Sequence, residues 1–339
     1  MTYRLRIEPS GHEMDIEANE TILEAALRHG YALPYSCRSG TCATCKGKIL
    51  AGSVDYGDVD EKMLPDEEME AGFALFCQAT PLTDLSIEAR EVGAAAGIEI
   101  KTLPSRVARI VDLAPEVRAL FLQLPSTQEF RFLPGQYIDI LLKDGSRRGF
   151  SIANMPGPGA QLELHIKHVL GGQFTGHVFS SMKEKDILRF EGPLGTFFIR
   201  DDWPERPLLL AATGTGFAPI KGMLEQLFAN RDTRDIHFYW GVRYAQEFYY
   251  QELLQEWQAR HPNFHFHPVV SRPHASWNGR TGYITTAIGA DFPQPKDLVA
   301  YLCGHPDMVF DLAESLEQSG LDPQYIFSDA FVFAKSKTN

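Results

Sequence analysis

The stretch Cys37-Arg-Ser-Gly-Thr-Cys42-Ala-Thr-Cys45 has C-x4-C-x2-C spacing, and a further cysteine, Cys77, follows downstream. Three clustered cysteines and one distant cysteine are the ligand pattern of a [2Fe–2S] cluster, whose irons bind thiolate sulfur. Small residues between the cysteines allow backbone N–H groups to approach the sulfurs, which helps to set the reduction potential. A zinc site is the alternative, but such sites usually contain two C-x2-C pairs, and this chain has one. The spacing therefore predicts a [2Fe–2S] cluster held by Cys37, Cys42, Cys45 and Cys77.

Length and composition indicate a globular protein with two or three domains, because 339 residues with 44% hydrophobic content can form more than one core. The five cysteines, four of them in the ligand pattern, argue against a disulfide framework and favour a reducing compartment. The N-terminus alternates charged and apolar residues, unlike a signal peptide. The longest dense apolar run, residues 208–212, is too short for a membrane span. We therefore expect a cytoplasmic protein that does not bind a membrane.

The net charge of −12 argues against nucleic acid as a partner, because nucleic acid is itself negatively charged. Eight acidic residues lie between Asp55 and Glu70, where Lys62 is the only basic residue. This acidic segment has two interpretations that the sequence leaves open. It is either a solvated face or a surface that attracts a positively charged redox partner.

Residues 1–93 have the pattern of a first domain: two alternating strands, a helix that stops at Gly30, the cysteine loop and further short strands. This order of elements resembles the plant-type ferredoxin, which has a β-grasp fold. Small residues dominate the next stretch, so residues 94–101 are predicted to be a linker.

Residues 102–204 form short alternating strands separated by turns, which is typical of a small β-barrel. One predicted strand, residues 163–169, continues into Gly171-Gly172-Gln-Phe-Thr175 at the start of a helix. A glycine-rich helix start exposes backbone N–H groups that bind anions. Together with Arg148 upstream, this helix start suggests a clamp for a diphosphate.

Residues 205–334 alternate buried strands and helices, as in a doubly wound parallel sheet, and residues 335–339 are predicted to be a tail. The stretch Thr213-Gly214-Thr215-Gly216-Phe-Ala-Pro219 joins a strand to a helix where such sheets hold a dinucleotide diphosphate. The pair Cys303-Gly304 stands at the carboxyl end of another strand, where ligands also bind.

The middle motifs resemble the flavin domain of the ferredoxin–NADP⁺ reductase superfamily. They are Arg148-x-Phe150-Ser151, Gly171-Gly172-x-x-Thr175 and Gly192-Pro193-Leu-Gly195. The resemblance implies that Arg148, Gly171, Gly172 and Thr175 hold the FAD diphosphate. It also implies that Phe150 lies against the isoalloxazine and that Ser151 hydrogen-bonds near flavin N5. Where Phe150 stands the family usually has tyrosine, so a hydroxyl contact to the flavin is lost. His165 and Lys167, on the strand before the glycines, are further candidates for cofactor binding.

The last third resembles the nucleotide domain of the same superfamily through Gly214-Thr215-Gly216-x-x-Pro219 and Cys303-Gly304. The resemblance implies that Cys303 faces the nicotinamide and the flavin, and that Phe331 is the terminal aromatic that covers the flavin. Ser151, Cys303 and Phe331 are therefore the candidates that align hydride transfer, which requires no thiolate nucleophile.

The coenzyme preference depends on three residues that follow strands of the nucleotide domain: Arg243, Ser271 and Arg272. A Ser-Arg pair at this place resembles the 2′-phosphate site of NADPH enzymes, but similar pairs occur in relatives that use NADH. No second basic residue follows closely. We expect NADH, with NADPH as the alternative.

The combined prediction is a multidomain α/β plus β fold: a β-grasp ferredoxin domain, an antiparallel β-barrel FAD domain and a doubly wound parallel α/β nucleotide-binding domain. Such a chain would pass electrons from NAD(P)H to FAD, to the cluster and then to a protein acceptor. Residues 191–200 and 327–332 resemble the CDP-6-deoxy-glucoseen reductases most, which implies a sugar dehydrase as acceptor.

Two alternatives stay open. The ferredoxin-first order also resembles the reductases of phenol hydroxylase and methane monooxygenase, which implies an oxygenase component as acceptor. A non-catalytic electron carrier is the third hypothesis, and the intact Arg148, Ser151, Gly214 and Gly216 argue against it. In either reductase, we expect the acceptor to dock near the cluster and the acidic segment 55–70.

Overall fold

The computed structural model describes residues 1–157, 159 and 161–331. The chain divides into two compact units, Met1–Glu99 and a larger unit that starts at Ile100. Within the described part of the chain, no helix is both long enough and apolar enough to cross a membrane.

The first unit is a mixed five-stranded sheet with the order β2-β1-β7-β3-β5 and one main helix. Strands β1 and β7 run parallel and the other pairs antiparallel, as in a β-grasp. A capping box starts the main helix: Thr21 Oγ1 accepts from the Glu24 N–H, and the Glu24 carboxylate accepts from the Thr21 N–H. The elements are β1 (Thr2–Glu8), β2 (His12–Glu17), α1 (Ile22–Arg28), β3 (Lys46–Ala51), β4 (Val54–Asp55), α2 (Asp66–Glu70), β5 (Phe73–Leu75), β6 (Thr80–Pro81) and β7 (Leu85–Glu88).

A tight contact joins β3 to the chain beside Cys77. A Cβ atom added at Gly47 would lie 2.3 Å from a ring carbon of Phe76, which is buried. The Phe76 N–H donates to the Cys45 carbonyl over 3.1 Å, which joins the two backbone segments that carry Cys77 and Cys45. Glycine is therefore required at position 47 for space.

We expect Gly47→Ala to destabilise the first unit by about 1–3 kcal/mol, because the added methyl overlaps a buried ring. Chemical denaturation followed by the visible absorbance of the cluster measures this change. Gly93→Ala is the matched control, since nothing lies within 4 Å of a Cβ at that position. Equal stability of the two variants would contradict the account of the Gly47 contact.

The first half of the larger unit is a six-stranded antiparallel sheet with the order β11-β10-β13-β8-β9-β12. Among the described residues, Ile152, directly after the edge strand β11, forms an isolated bridge with Leu164 of the other edge strand, β12. The sheet therefore curls into a barrel-like form around a core that contains Leu120, Ile138 and Phe190. The elements are β8 (Lys101–Ala114), β9 (Val117–Gln123), β10 (Tyr137–Leu141), β11 (Arg147–Ser151), β12 (Gln161–Lys167), α3 (Gln173–Ser180) and β13 (Ile187–Leu194).

The second half is a six-stranded, entirely parallel sheet with the order β17-β16-β15-β14-β18-β19. The strand order reverses between β14 and β18, and such switch points are where doubly wound sheets bind ligands. The elements are β14 (Leu208–Thr213), α4 (Phe217–Ala229), β15 (Ile236–Val242), α5 (Gln251–Arg260), β16 (Phe264–Val270), β17 (Arg280–Thr281), α6 (Ile284–Asp291), β18 (Val299–Gly304), α7 (Pro306–Gln318) and β19 (Ile326–Ala330).

The sequence patterns do not predict α6 and β17. Helix α6 contains isoleucine, threonine and glycine, which have lower helix propensity than alanine or leucine, so its stability comes from packing. Its buried residues are Ile284, Ala287 and Ile288, which pack in the core on one side of the parallel sheet.

Candidate cluster and nucleotide sites

The four predicted cluster cysteines lie in the first unit as two close pairs. The thiols of Cys37 and Cys42 are within hydrogen-bonding distance, and so are those of Cys45 and Cys77. In the first pair, the hydrogen bond between the thiols lowers the pKa of Cys37 and raises that of Cys42. In the second pair, the corresponding bond lowers the pKa of Cys77 and raises that of Cys45. These thiols stand in for the thiolates that bind iron. Four sulfur donors in two pairs fit a [2Fe–2S] cluster, which these cysteines would hold.

The backbone around the cysteines already points donors at the sulfur atoms. The Ser39 N–H lies 3.4 Å from Cys37 Sγ, and the Cys37 N–H lies 3.5 Å from Cys42 Sγ. Arg38, between these two donors, has left-handed backbone with a φ of 58°, and so does Ala43, with a φ of 55°. Within the described residues, no group of three or more His, Cys, Asp and Glu side chains could hold a single metal ion.

The predicted flavin residues lie on β11, at the edge of the barrel-like sheet. Ser151 is buried at the end of the strand and pairs with Tyr137 of β10. Phe150 is half-buried, and its ring centroid lies 5.3 Å from that of Phe174 at the start of α3. The half-buried Arg148 donates to the Arg147 carbonyl over 2.7 Å. The structure thus brings the Arg148 strand and the glycine-rich helix start together through an aromatic contact.

The glycine-rich helix start has the form of an anion site. Gly171 has a φ of +74°, and Gly172 caps α3 without a side-chain hydrogen bond to the first turn. Thr175 Oγ1 accepts from the Val169 N–H over 3.2 Å and holds the turn closed. A Cβ at Gly172 would lie 2.4 Å from that hydroxyl, so only glycine fits. Lys167 is half-buried at the end of β12, just before this turn. A lysine beside the exposed backbone N–H groups of a helix start fits the binding of a diphosphate.

The side chain of His165, which the sequence analysis predicts to bind a cofactor, lies in the interior of the larger unit. Its side chain has no exposed surface, and both ring nitrogens have protein partners. Nε2 lies 3.0 Å from Glu163 Oε1, and Nδ1 lies 3.0 Å from the Tyr249 hydroxyl. Since Glu163 can only accept, Nε2 carries the proton and Tyr249 donates to Nδ1. The imidazole therefore belongs to a buried polar network, and its role in cofactor binding stays a prediction.

The same network contains a buried ion pair. Lys221 Nζ lies 2.9 Å from Glu163 Oε2 and 2.7 Å from Glu225 Oε1, and it donates to the Ala153 carbonyl over 3.1 Å. Burial lowers the pKa of His165, so the ring is neutral near pH 7. Burial alone would raise the pKa of Glu163, but the His165 hydrogen bond and the Lys221 charge outweigh it and hold that pKa at about 2.

The sequence interpretation missed Lys221, Glu225 and Tyr249 as members of this network. One signal was available: Lys221 interrupts the otherwise apolar start of α4, and Glu225 follows at the i+4 position. A lysine on a buried helix face requires a paired acid.

The predicted dinucleotide residues meet at the switch point of the parallel sheet. Gly214, Thr215 and Gly216 form a 3₁₀ turn between β14 and α4, and Pro219 is buried in the first turn of α4. A Cβ at Gly216 would lie 2.4 Å from the carbonyl oxygen of Cys303. The turn is therefore packed directly on the end of β18, and its backbone N–H groups stand at a helix start that fits a diphosphate.

The predicted nicotinamide residues lie beside this turn. The Cys303 thiol is completely buried, and burial together with the Asp329 charge raises its pKa, so it is protonated near pH 7. Phe331 follows β19 and donates its N–H to the Gly304 carbonyl over 2.8 Å. Gly304, with a φ of +128°, thus joins the backbone of Cys303 to that of Phe331. The expected tail, residues 335–339, lies outside the described residues.

The three candidates for coenzyme preference lie together where β15 and β16 end. The Arg272 N–H donates to the Arg243 carbonyl over 2.8 Å, and the Ser271 N–H donates to the Val242 carbonyl over 3.0 Å. The Arg243 guanidinium contacts Glu247 at 3.0 Å and Glu116 at 3.3 Å. Its positive charge is therefore already balanced by two carboxylates.

We expect Gly216→Ala to weaken NADH binding about tenfold, because the added methyl pushes the diphosphate turn away from Cys303. Titration of the protein with NADH measures the dissociation constant. Gly289→Ala, in α6, is the matched helix variant, since nothing lies within 4 Å of its added Cβ. If Gly216→Ala binds NADH as tightly as Gly289→Ala, the close approach of the turn to β18 is not required.

The low pKa of Glu163 predicts a pH-dependent contribution to stability. Its pKa is about 2 in the folded protein against an ordinary value of 4.5, so the carboxylate stabilises the fold above about pH 4.5. This contribution, about 3 kcal/mol, is lost as the pH falls toward 2. Denaturation of the wild type and of Glu163→Gln should show a stability gap that shrinks over this range. A gap that stays constant down to pH 2 would contradict the pairing.

Three protein families match consecutive parts of the chain. A 2Fe-2S iron-sulfur cluster binding domain matches residues 5–82, an oxidoreductase FAD-binding domain matches 104–199 and an oxidoreductase NAD-binding domain matches 210–314. These matches and the observed sheets define an electron-transfer oxidoreductase that uses NAD(P)H.

Full-length relatives extend this assignment. The CDP-6-deoxy-L-threo-D-glycero-4-hexulose-3-dehydrase reductase of Yersinia pestis is 36% identical over 335 residues, which cover 99% of this chain and 100% of the relative. The phenol 2-monooxygenase reductase component DmpP of Pseudomonas sp. (strain CF600) is 37% identical over 342 residues, 98% of this chain and 96% of the relative. The crystal structure of the Amycolatopsis cytochrome P450 reductase GcoB has a TM-score of 0.82 at 33% identity, over 97% of this chain and 99% of that one.

The chain belongs to the three-domain iron–sulfur flavoprotein reductases of the ferredoxin–NADP⁺ reductase superfamily. The predicted fold class, the oxidoreductase activity and the cofactors [2Fe–2S], FAD and NADH are confirmed.

Proposed function

We propose that this reductase transfers electrons from NADH, through FAD and the [2Fe–2S] cluster, to a sugar dehydrase that acts on a nucleotide-linked hexose. The observation that carries the choice of acceptor is the match to the Yersinia pestis dehydrase reductase, which extends over the full length of both chains. We place the three domains at residues 1–93, 102–204 and 205–334, with a linker at 94–101.

When bound, NADH supplies a hydride, FAD takes up two electrons and releases them singly, and the cluster carries one electron at a time. In our proposal Arg148, Gly171, Gly172 and Thr175 bind the FAD diphosphate, and Gly214, Thr215 and Gly216 bind that of NADH. The protonated, buried Cys303 thiol packs at the nicotinamide and takes no proton. Ser151 orients the flavin, while Phe150 and Phe331 shield it from water.

The preference for NADH is supported by the ion pairs of Arg243. Its contacts with Glu247 and Glu116 already balance its charge, and both carboxylates would repel a 2′-phosphate. Ser271 and Arg272 remain beside this site as contacts to the adenosine ribose. We therefore propose that NADH is the better electron donor.

The acceptor is proposed to dock on the first unit, near the cluster and the acidic segment 55–70. The first turn of α2 consists of acidic residues, Asp66, Glu67 and Glu68, of which Glu68 is paired with Lys46. A negative surface of this kind supports a fast encounter with a basic redox partner. The five free cysteines, four of them proposed as cluster ligands, support a reducing, cytoplasmic setting.

A second candidate acceptor is the oxygenase component of a multicomponent oxygenase. The specific support is the 37% identity to the reductase component of a phenol 2-monooxygenase, which again covers nearly the whole of both chains. NADH-driven reduction of a purified hexulose dehydrase and of an oxygenase component distinguishes the two. Turnover with the dehydrase supports our choice, and turnover with the oxygenase alone overturns it.

We expect Cys77→Ser to abolish electron delivery while the flavin stays active. Loss of one thiolate disrupts the cluster, so reduction of the protein acceptor should fall at least about 100-fold, whereas NADH-dependent reduction of ferricyanide should stay within about twofold. Arg148→Ala is the complementary variant, which should lose bound FAD and both activities. Acceptor reduction that survives Cys77→Ser would show that electrons leave without the cluster.

A further inference from the structure

A buried polar group links the barrel-like sheet to the parallel sheet inside the larger unit. We call it the bridging cluster: Glu163 and His165 from β12, Lys221 and Glu225 from α4, and Tyr249 before α5. All but Glu225 are buried, and the cluster is joined by hydrogen bonds of 2.7–3.0 Å. Nothing in the proposed chemistry uses these side chains directly.

On the barrel side, the cluster holds the segment that follows the proposed flavin residue Ser151. Lys221 Nζ donates to the Ala153 carbonyl over 3.1 Å, and Glu225 Oε2 accepts from the Met155 N–H over 2.9 Å. Between these contacts, a Cβ at Gly222 would lie 3.2 Å from the backbone of Asn154. Helix α4 therefore lies directly against the chain two to four residues beyond Ser151.

On the other side, the cluster reaches the proposed diphosphate turn of NADH. The Tyr249 hydroxyl donates to His165, and the Tyr249 ring packs edge-on against Trp240, with centroids 4.9 Å apart. Trp240 Nε1 donates to the Gly214 carbonyl over 3.0 Å. Helix α4, which carries Lys221, begins immediately after the same turn. Two separate routes thus connect the bridging cluster to the 214–216 turn.

The chemistry of the bridging cluster provides orientation as well as stability. Removing charged groups from water costs free energy that apolar side chains of similar volume do not lose. Hydrogen bonds are directional, so they fix relative positions that an apolar contact would leave adjustable. Hydride transfer depends steeply on the distance and angle between the two reacting rings.

We propose that the bridging cluster fixes the flavin-binding strand against the dinucleotide turn, and that Tyr249 and Lys221 are positioning residues for hydride transfer. This inference rests on the proposed function, in which NADH reduces FAD. In this proposal, α4 has a second role besides binding the diphosphate. The face of α4 that carries Lys221 determines the position of the nicotinamide relative to Ser151.

The test compares two tyrosine-to-phenylalanine variants of the full-length holoprotein. Tyr249→Phe removes the hydrogen bond to His165 and keeps the ring. Tyr239→Phe is the matched control, because it removes a buried hydroxyl bound to Asp291 on the opposite side of the sheet. Thermal unfolding of both variants measures the general loss of stability, which we expect to be similar.

Anaerobic stopped-flow reduction of the flavin by NADH gives the first readout. We expect Tyr249→Phe to lower the limiting rate about tenfold with a dissociation constant for NADH within about twofold, and Tyr239→Phe to keep the wild-type rate. A wild-type limiting rate in Tyr249→Phe, or an equal loss in both variants, would overturn the positioning role.

Amide hydrogen exchange in the holoprotein without nucleotide gives a second readout that does not depend on activity. Tyr249→Phe should speed exchange across residues 214–222 at least about fivefold, while Tyr239→Phe should not. Unchanged exchange in Tyr249→Phe would overturn the coupling. If NADH fails to reduce the flavin of the wild type, the proposed function is wrong, and the exchange data still decide whether the bridging cluster couples the two sites.

Discussion

The buried ammonium group of Lys221 is the constraint around which the larger unit is arranged. A charge in this position is tolerated only if acceptors surround it, and the structure supplies Glu163, Glu225 and the Ala153 carbonyl. Those acceptors come from the barrel strand, the helix itself and the segment after β11. These three parts of the chain must therefore come together for the Lys221 ammonium group to be fully hydrogen-bonded. The proposed FAD site lies on the barrel side of this group, and the proposed NADH site lies at the start of α4.

The two units provide different kinds of binding group: cysteine sulfurs in the first unit and backbone N–H groups at glycine turns in the larger unit. In the first unit, backbone N–H groups and left-handed turns at Arg38 and Ala43 gather sulfur donors in two pairs, which suits a group that carries single electrons. In the larger unit, Gly172 and Gly216 lie at the turns proposed to bind diphosphates, and a Cβ at either position would collide with its neighbours. In our proposal, cofactor binding therefore depends largely on backbone groups, whereas the relative position of the flavin and nicotinamide sites depends on buried side chains.

Much of this arrangement could be predicted from the sequence, because cluster ligands and diphosphate turns are local patterns. The cysteine spacing, Gly171-Gly172 and Gly214-Thr215-Gly216 each specify a backbone shape within a few residues, and the structure places each in the expected turn. The place of His165 could not be predicted, since its partner Tyr249 lies 84 residues away and only the folded chain brings them together. Helix α6 was missed for a related reason: tertiary packing of Ile284 and Ile288 stabilises it, against a weak local propensity.

The central claim is that electrons from NADH reach the cluster through the flavin. Anaerobic addition of NADH to the holoprotein, followed together by flavin absorbance and by the electron paramagnetic resonance of the reduced [2Fe–2S] cluster, tests it most directly. The account predicts that flavin absorbance falls first and that the cluster signal rises afterwards, at a rate no faster than flavin reduction. A flavin that is reduced while the cluster stays oxidised, or a cluster that is reduced before the flavin, would contradict the account.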